Sequence, residues 1–379
     1  MADDRISNLP KHILCHILSF LPTEYAFATR ILSKKWLPLW LSIPSLDFDQ
    51  HRSTSLLPSS SSFIQFVYAA ILGRPIHQPI KTLRLKGDCS NFHAKILLKA
   101  IADRKVENLQ IDISNRENYF VFCKLPSTIF TIKTLVVLNL QSANFNVFPS
   151  SVHLPSLKSL HLENVRFLDS EYFVNLLNGC PILENLKIEI VAFEFNNDPS
   201  FKRKFKTLSN LVRADVIHVM MMHSHVPVRI FCNAEFLRLD EFWDVDIPTF
   251  PNLIHMELSL RSNDQWKSVF DILNHCPQLQ TFVIENVFWS TDTGSGIWPD
   301  THVVVPECFS SQLRKCVFID FTGRECEMRF VKFVMQNSTL LRTMAIFSKP
   351  DLIHEETHEM LKELASCPRS SAACELLFM

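Results

Sequence analysis

The chain of 379 residues exceeds one small domain, and an apolar fraction of 47% is ample for a continuous core. Thirty-eight lysines and arginines offset 39 aspartates and glutamates, a formal net charge of −1, so no overall basic field exists to recruit nucleic acid or an anionic membrane. No apolar run reaches the roughly 18 residues of a bilayer span, and Met1-Ala2-Asp3-Asp4-Arg5 is too charged to open a signal peptide. A globular protein of the cytosol or nucleus is expected.

The first patterned stretch runs from Leu9 to Pro22. Ile13, Leu14, Ile17, Leu18 and Leu21 recur at helical spacing and define one broad apolar face. Pro10 suits the first helical position and Pro22 can only follow the last turn. A second helix begins at Thr23, which is read as its cap, with Glu24 in the first turn. Ser33 is read as a cap for the segment carrying Trp36, Leu37, Leu39 and Trp40. About 45 residues cannot bury so much apolar surface alone, so this unit docks either on the rest of the chain or on another protein.

These residues carry a resemblance. Asp4 to Pro10, Ile13 to Thr23, Ala28-Thr29, Leu32 to Trp36 and Leu39-Trp40 resemble the F-box of plant F-box proteins with leucine-rich repeats, departing at Lys11, usually acidic, and at Tyr25, usually smaller or charged. The resemblance implies docking on a Skp-type adaptor and, through it, a cullin scaffold and ubiquitin transfer. It also implies that Leu9, Pro10, Ile13, Leu14, Ile17, Leu18, Leu32 and Trp36 face the adaptor or pack the F-box.

Residues 51–62 are polar and serine-rich and read as a mobile connector, with phosphorylation the less favoured role. Phe63 to Leu72 reads as a capping helix. From about residue 80 an L-x-x-L-x-L cluster recurs, as in Ile80-Lys81-Thr82-Leu83-Arg84-Leu85 and Leu157-Lys158-Ser159-Leu160-His161-Leu162, with a mean step of about 26 residues. The last two apolar residues of each copy point inward and the residue between them outward. Stacked copies predict a parallel sheet with an outward row of Arg84, Gln110, Asn139, His161, Lys187, Asp215, Arg238 and Glu257, then Val283, Val317 and Ala345. That row is either a solvated face or a target-binding face with an apolar end.

Two punctuations, Asn178-Gly179-Cys180-Pro181 and Asn274-His275-Cys276-Pro277, read as helices ending at a left-handed-tolerant residue before a proline. The fold class is therefore α/β: a helical F-box, then an irregular leucine-rich-repeat solenoid. The last part, with Val305 to Leu313, Phe321 to Arg324, a helix over Met328 to Asn337 and Cys367-Pro368, resembles the FBD module of many plant F-box proteins and reads as a cap. The expected domains are 1–50 F-box, 51–79 connector and capping helix, 80–298 repeats and 299–379 FBD-like module.

Chemistry is weakly signalled. Eleven cysteines lack a C-x-x-C pair and read as buried thiols in a reducing compartment. His223 and His225, and Cys308, Cys316 and Cys326, lack zinc-module spacing. Gly294-Ser295-Gly296 lacks a Walker lysine, and Asn337-Ser338-Thr339 is a sequon that matters only after secretion. No catalytic, cofactor or metal site is expected. The functional expectation is a substrate-recognition adaptor of a Skp-cullin-F-box ligase with an unidentified target protein. The alternative is a non-degradative scaffold that uses the same repeats.

Overall fold

The computed structural model describes residues 6–36, 38–52, 59–76, 78–88, 90–113, 123–149, 151–195, 204–220, 226–240, 247–262, 265–287, 304–350 and 354–379. They fall into two units, the first built mainly from Met1–Leu183 and Ile188–Lys204, the second from Glu184–Lys187, Phe205–Val219 and His223–Met379.

In the first unit α1 (Lys11–Leu18) starts after Pro10, which stands at the N-cap, one position earlier than expected. Its carbonyl accepts from Ile13 and Leu14, so a residue lacking N–H loses nothing there. Pro22 serves α2 (Thr23–Ala28) in the same way. Thr23 is therefore the first helical residue and not the cap. Its hydroxyl accepts from the Asp47 N–H at 2.8 Å and ties α2 to β1 (Ser45–Asp49). The segment around Trp36 forms turns and a short 3-10 stretch over Trp40–Ser42.

Next comes α3 (Ser60–Leu72), capped by Ser59, whose hydroxyl accepts from Ser62 N–H at 3.1 Å. The end of the supposed connector is thus the first turn of a helix; residues 53–58 lie outside the described residues. The chain continues through β2 (Thr82–Lys86), α4 (Asn91–Ala102), β3 (Asn108–Asp112), β4 (Cys123–Lys124), β5 (Val137–Gln141), β6 (Ala143–Phe145), β7 (Ser159–Asp169) and α5 (Ser170–Asn178). Strands β1, β2, β3, β5 and β7 pair in parallel in that order.

The expected register is the observed one: Leu83, Leu109, Leu138 and Leu160 are cross-strand partners, as are Leu85, Ile111, Leu140 and Leu162. It also begins one copy earlier, because Leu46 partners Leu83 and Phe48 partners Leu85. A repeated device sets this register. The carbonyl just before one strand accepts two successive N–H groups of the next copy, as Pro44 does from Lys81 and Thr82, Lys81 from Glu107 and Asn108, and Glu107 from Val136 and Val137. A one-residue slip would lose these bonds and turn every leucine outward.

Two residues past the inward pair, Ser142 and Asn164 adopt φ of 56° and 51°, and the backbone turns so that Phe145 and Phe167 point inward again. These rings stack at 5.6 Å and pack with Phe130, Phe148 and Phe173.

The boundary between the units falls inside β8 (Asn185–Phe195). The second unit holds β9 (Arg213–Met220), β10 (Phe236–Asp240), β11 (His255–Leu260), α6 (Trp266–Leu273), β12 (Thr281–Asn286), α7 (Glu307–Ser311), β13 (Lys315–Phe321), α8 (Glu325–Asn337), β14 (Thr343–Ser348), α9 (His354–Ala365) and β15 (Glu375–Phe378). Strands β9 to β15 pair in parallel in chain order, with Ala214, Leu237, Met256, Phe282, Cys316, Met344 and Leu376 in one buried or inward column. Trp266, Phe270 and Phe282 surround Phe330 of α8 at centroid distances of 5.2, 5.8 and 6.0 Å.

The helix punctuations differ from expectation. Gly179 has φ −82° and Asn274 φ −65°, both right-handed, so no left-handed residue ends α5 or α6. Glycine is needed at 179 for closeness, because a Cβ there would lie 2.6 Å from the Val152 carbonyl oxygen. Backbone N–H groups close both ends, and the following cysteine adds a thiol donor: Cys180 Sγ donates to Leu176 O and Cys276 Sγ to Ile272 O, each at 3.1 Å. Burial pushes the Cys180 thiol up to about 12 and that of Cys276 upward as well, keeping both protonated donors.

Candidate protein-interaction surfaces

The apolar face expected on α1 divides in two. Leu14 and Leu18, four residues apart, are buried; Ile13 and Ile17, also four apart, are exposed. Trp36 joins the buried set with Ala26, Leu39 and Trp40, and its indole N–H donates to Ser7 Oγ at 2.8 Å. Pro10 and Leu32 are exposed and Leu9 is half-buried. Ile6, Phe20, Leu21, Tyr25 and Ile31 enlarge the exposed apolar set, with Ile31 83% exposed. The tryptophan-rich segment thus docks on its own chain: Phe27 meets Trp40 at 4.9 Å and Phe66 of α3 at 5.1 Å.

Arg74 joins these helices to the strands. Its guanidinium is buried and donates to the carbonyls of Ala70 at 2.8 Å, Trp40 at 2.9 Å and Ile43. Burial, with the neighbouring Arg104 charge second, draws its pKa down to about 10. Arg104 repeats the arrangement, donating to Ala100, Pro75 and Arg74 carbonyls. Neither arginine was singled out in the sequence, where each is one more polar residue after a helix.

The outward row of the first unit is Asp47, Arg84, Gln110, Asn139 and His161, in cross-strand register. Asp47 bonds Arg52 at 2.7 Å and Arg84 at 3.4 Å, and Lys86 bonds Asp112 at 2.7 Å. In the second unit Asp215, Arg238 and Glu257 form the corresponding row. Arg238 reaches Glu257 at 3.4 Å and Glu285 at 3.8 Å, while His255 Nε2 lies 2.8 Å from Glu257. The His255 hydrogen bond, with its charge and those of Arg238 and Arg213, holds the Glu257 carboxyl below its ordinary value against the effect of burial. Arg213 covers the Phe236 ring at 3.4 Å, and that ring stacks on His255 at 4.7 Å.

Three expectations for the row need correction. Asp215 is buried, not solvent-facing; Val317 and Ala345 are buried too, so the apolar anchor is not open there. Its exposed apolar neighbours are Phe347 and Leu377, the latter on β15, a strand the sequence reading missed although Leu376 and Phe378 alternate as in the other copies. Lys187 is half-buried on β8.

Among the described residues no three histidine, cysteine, aspartate or glutamate side chains converge to hold a metal, and no helix is long and apolar enough to cross a membrane. His223, His225 and Gly294-Ser295-Gly296 lie outside the described residues. Cys308 and Cys316 are buried, with pKa values pushed up to about 12 by desolvation, unlike nucleophilic thiols. Glu327 is buried in the first turn of α8, where its carboxylate accepts from Asn286 at 2.7 Å and from the hydroxyl and N–H of Thr322 at 2.8 Å each. Desolvation raises its pKa, opposed by those Thr322 bonds.

A helical module with exposed apolar side chains followed by parallel L-x-L strands in register defines a repeat-containing α/β protein. Comparison with known families agrees along the chain: residues 6–47 match the F-box domain, 94–209 the leucine-rich repeats of FBD-associated F-box protein At5g56370, and 302–346 the FBD module. The F-box/FBD/LRR-repeat protein At4g26340 of Arabidopsis thaliana is 30% identical over 99% of this chain and 100% of its own length. FBD-associated F-box protein At3g52670 from the same plant is 27% identical over 99% and 97%. The chain belongs to the F-box/FBD/LRR-repeat family.

Proposed function

We propose that this chain is the target-recognition subunit of a Skp-cullin-F-box ubiquitin ligase. The F-box holds a Skp-type adaptor, and through it a cullin, while the outward strand rows hold a target protein. The chain itself catalyses nothing; it raises the effective concentration of target lysines beside the ubiquitin-conjugating enzyme. In this reading residues 1–50 are the adaptor module, 51–79 the joint, 80–298 a repeat solenoid and 299–379 an FBD region capping it, all working in the cytosol or nucleus.

The observation that carries the reading is the exposed apolar set Ile13, Ile17, Ile31 and Leu32, enlarged by Ile6, Phe20, Leu21 and Tyr25, beside the buried Leu14, Leu18 and Trp36 of the same module. A soluble chain that leaves such a set in water has a partner for it. Alanine at Leu9, Pro10 and Ile13 together is expected to weaken adaptor pull-down by more than about 2 kcal/mol, roughly 30-fold, without lowering the thermal midpoint. Undiminished pull-down would reject the assignment. Ubiquitination of a captured target in the reconstituted ligase separates this function from that of a non-degradative scaffold.

A further inference from the structure

We propose that the free edge of β15 joins a second copy of this chain, the two β15 strands pairing antiparallel about a two-fold axis at Leu377. The inference goes beyond the receptor reading and does not depend on it.

The covering of the strand columns stops at β15. Met344 and Ile346 on β14 are buried, whereas their cross-strand partners on the same inward side, Leu376 and Phe378, are only half-buried. On the outward side Ala345 is 4% exposed and its partner Leu377 36%. Strands β10 to β14 each have a strand on both sides; among the described residues β15 pairs with β14 alone.

The backbone is open on the same side. Glu375 N–H donates to Arg342 O and Met379 N–H to Ile346 O, each at 2.9 Å, and Met379 O accepts from Ser348 N–H at 2.7 Å. Alternation therefore turns the N–H and C=O groups of Leu376 and Phe378 away from β14. Arg369 holds the Cys374 carbonyl at 2.7 Å, so the open stretch starts at Leu376.

This edge matches its own two-fold image. With Leu377 on the axis, Leu376 faces Phe378 of the second copy and Phe378 faces its Leu376, each pair exchanging both N–H···O bonds. An axis perpendicular to the sheet keeps both inward sides together, so Leu376 and Phe378 cover one another across the seam and Leu377 meets its own copy on the outward side. Glu375, the charged side chain of β15, faces Met379 of the second copy and not another carboxylate. A shift by one residue would set inward side chains against outward ones. A shift of the axis to Leu376 would set Phe378 against Cys374, whose carbonyl Arg369 already holds.

Head-to-tail joining of copies would instead need the free edge of β1. Pro44 O and Gln50 N–H point to β2, so the Asp47 N–H points the other way, and there the Thr23 hydroxyl accepts it at 2.8 Å. That edge is closed by α2, which leaves the closed two-fold pair in place of an open chain of copies. A strand this short makes an interface below about 1,000 Å² and a weak dimer, one that presents two target-binding rows and two F-box modules together.

The test is sedimentation of the full chain up to about 100 µM, the range a weak interface of this size calls for. The parent mass is expected to rise with concentration from monomer towards dimer. Leu377→Lys, which opposes two ammonium groups on the axis, should weaken association roughly tenfold or more without lowering the thermal midpoint. Ile17→Lys on the F-box should leave association unchanged. The register is read by cross-linking: residues 377 of the two copies form a non-hydrogen-bonded pair with Cα atoms about 4.5 Å apart, within disulfide reach. The two residues 375 are offset by about 13 Å along the strands. Leu377→Cys should therefore give a covalent dimer on mild oxidation, and Glu375→Cys no more than the parent with its native cysteines. A parent that stays monomeric, association that survives Leu377→Lys or is lost in Ile17→Lys, or cross-linking no greater at 377 than at 375 would each overturn the pairing.

Discussion

Within residues 6–47, Ile6, Ile13, Ile17, Phe20, Ile31 and Leu32 face solvent, whereas each paired inward position of the described strand copies, from Leu83 and Leu85 to Met344 and Ile346, is no more than 4% exposed. The two regions draw on the same kinds of side chain. A strand column hides its leucines because each copy covers the next, so burial there is a property of stacking. The outer stripe of the F-box helices has nothing comparable among the described residues: Leu14 and Leu18 are buried and Cys15 is half-buried, while Ile13 and Ile17 stay exposed. The difference teaches that the same kinds of apolar side chain are fully covered where copies stack and left partly open where a helix has a neighbour on one side only.

The largest effects should come from breaking the columns. Leu160→Ala and Leu186→Ala, at positions 0% and 1% exposed, are expected to cost about 2 to 5 kcal/mol each in denaturant unfolding. Ile17→Ala on the F-box, the same loss of carbon from an exposed site, should stay within about 0.5 kcal/mol, as should Lys158→Ala beside the Leu160 column. Equal costs at Leu160 and Ile17 would erase the distinction between the regions.

The joint comes next. Arg74→Met removes a buried guanidinium and leaves the carbonyls of Trp40 and Ile43 without their donor. A loss of roughly 1.5 to 3 kcal/mol is expected, with F-box amides near Trp40 gaining hydrogen exchange before those of β5 to β7. Uniform exchange across both regions would show that the joint does not separate them.

The smallest effect sharpens the comparison through pH. Glu327 is a buried carboxyl with a folded pKa above its unfolded value, so the native state binds the proton more tightly. Its contribution is fully present below the ordinary glutamate pKa and is lost as pH rises through the raised folded value. Relative to Glu327→Gln, which cannot titrate, parent stability should therefore decline across that window in chemical unfolding followed at several pH values. A flat difference would mean that the hydrogen bonds from Thr322 and Asn286 cancel the desolvation entirely.

Much of this was legible because period-2 alternation has few readings. Leu83-x-Leu85 or Leu160-x-Leu162 can bury both leucines on one face only if the intervening residue points out, so the strand columns and the members of the outward row followed from local spacing. The outer copies were harder. In β1 the alternation Leu46-Asp47-Phe48 is embedded in the F-box resemblance, and in β15 it is four residues long.

The sequence by itself determined the family, through the ordered F-box motif, and the inward columns, through a periodicity that any stacking of parallel strands must satisfy. Tertiary structure alone decided which apolar residues of α1 are core: Ile13 and Leu14 are neighbours of nearly equal hydrophobicity, and only the way the rest of the chain folds back on one side of α1 assigns Leu14 to the interior. It also decided that Asp215, Val317 and Ala345 are buried on a face whose alternation marks them as outward, and that Arg74 ends in a cage of carbonyls. Alternation states which side of a strand a residue takes; how much of that side is covered depends on neighbours distant in sequence, whose positions are set only when the chain folds.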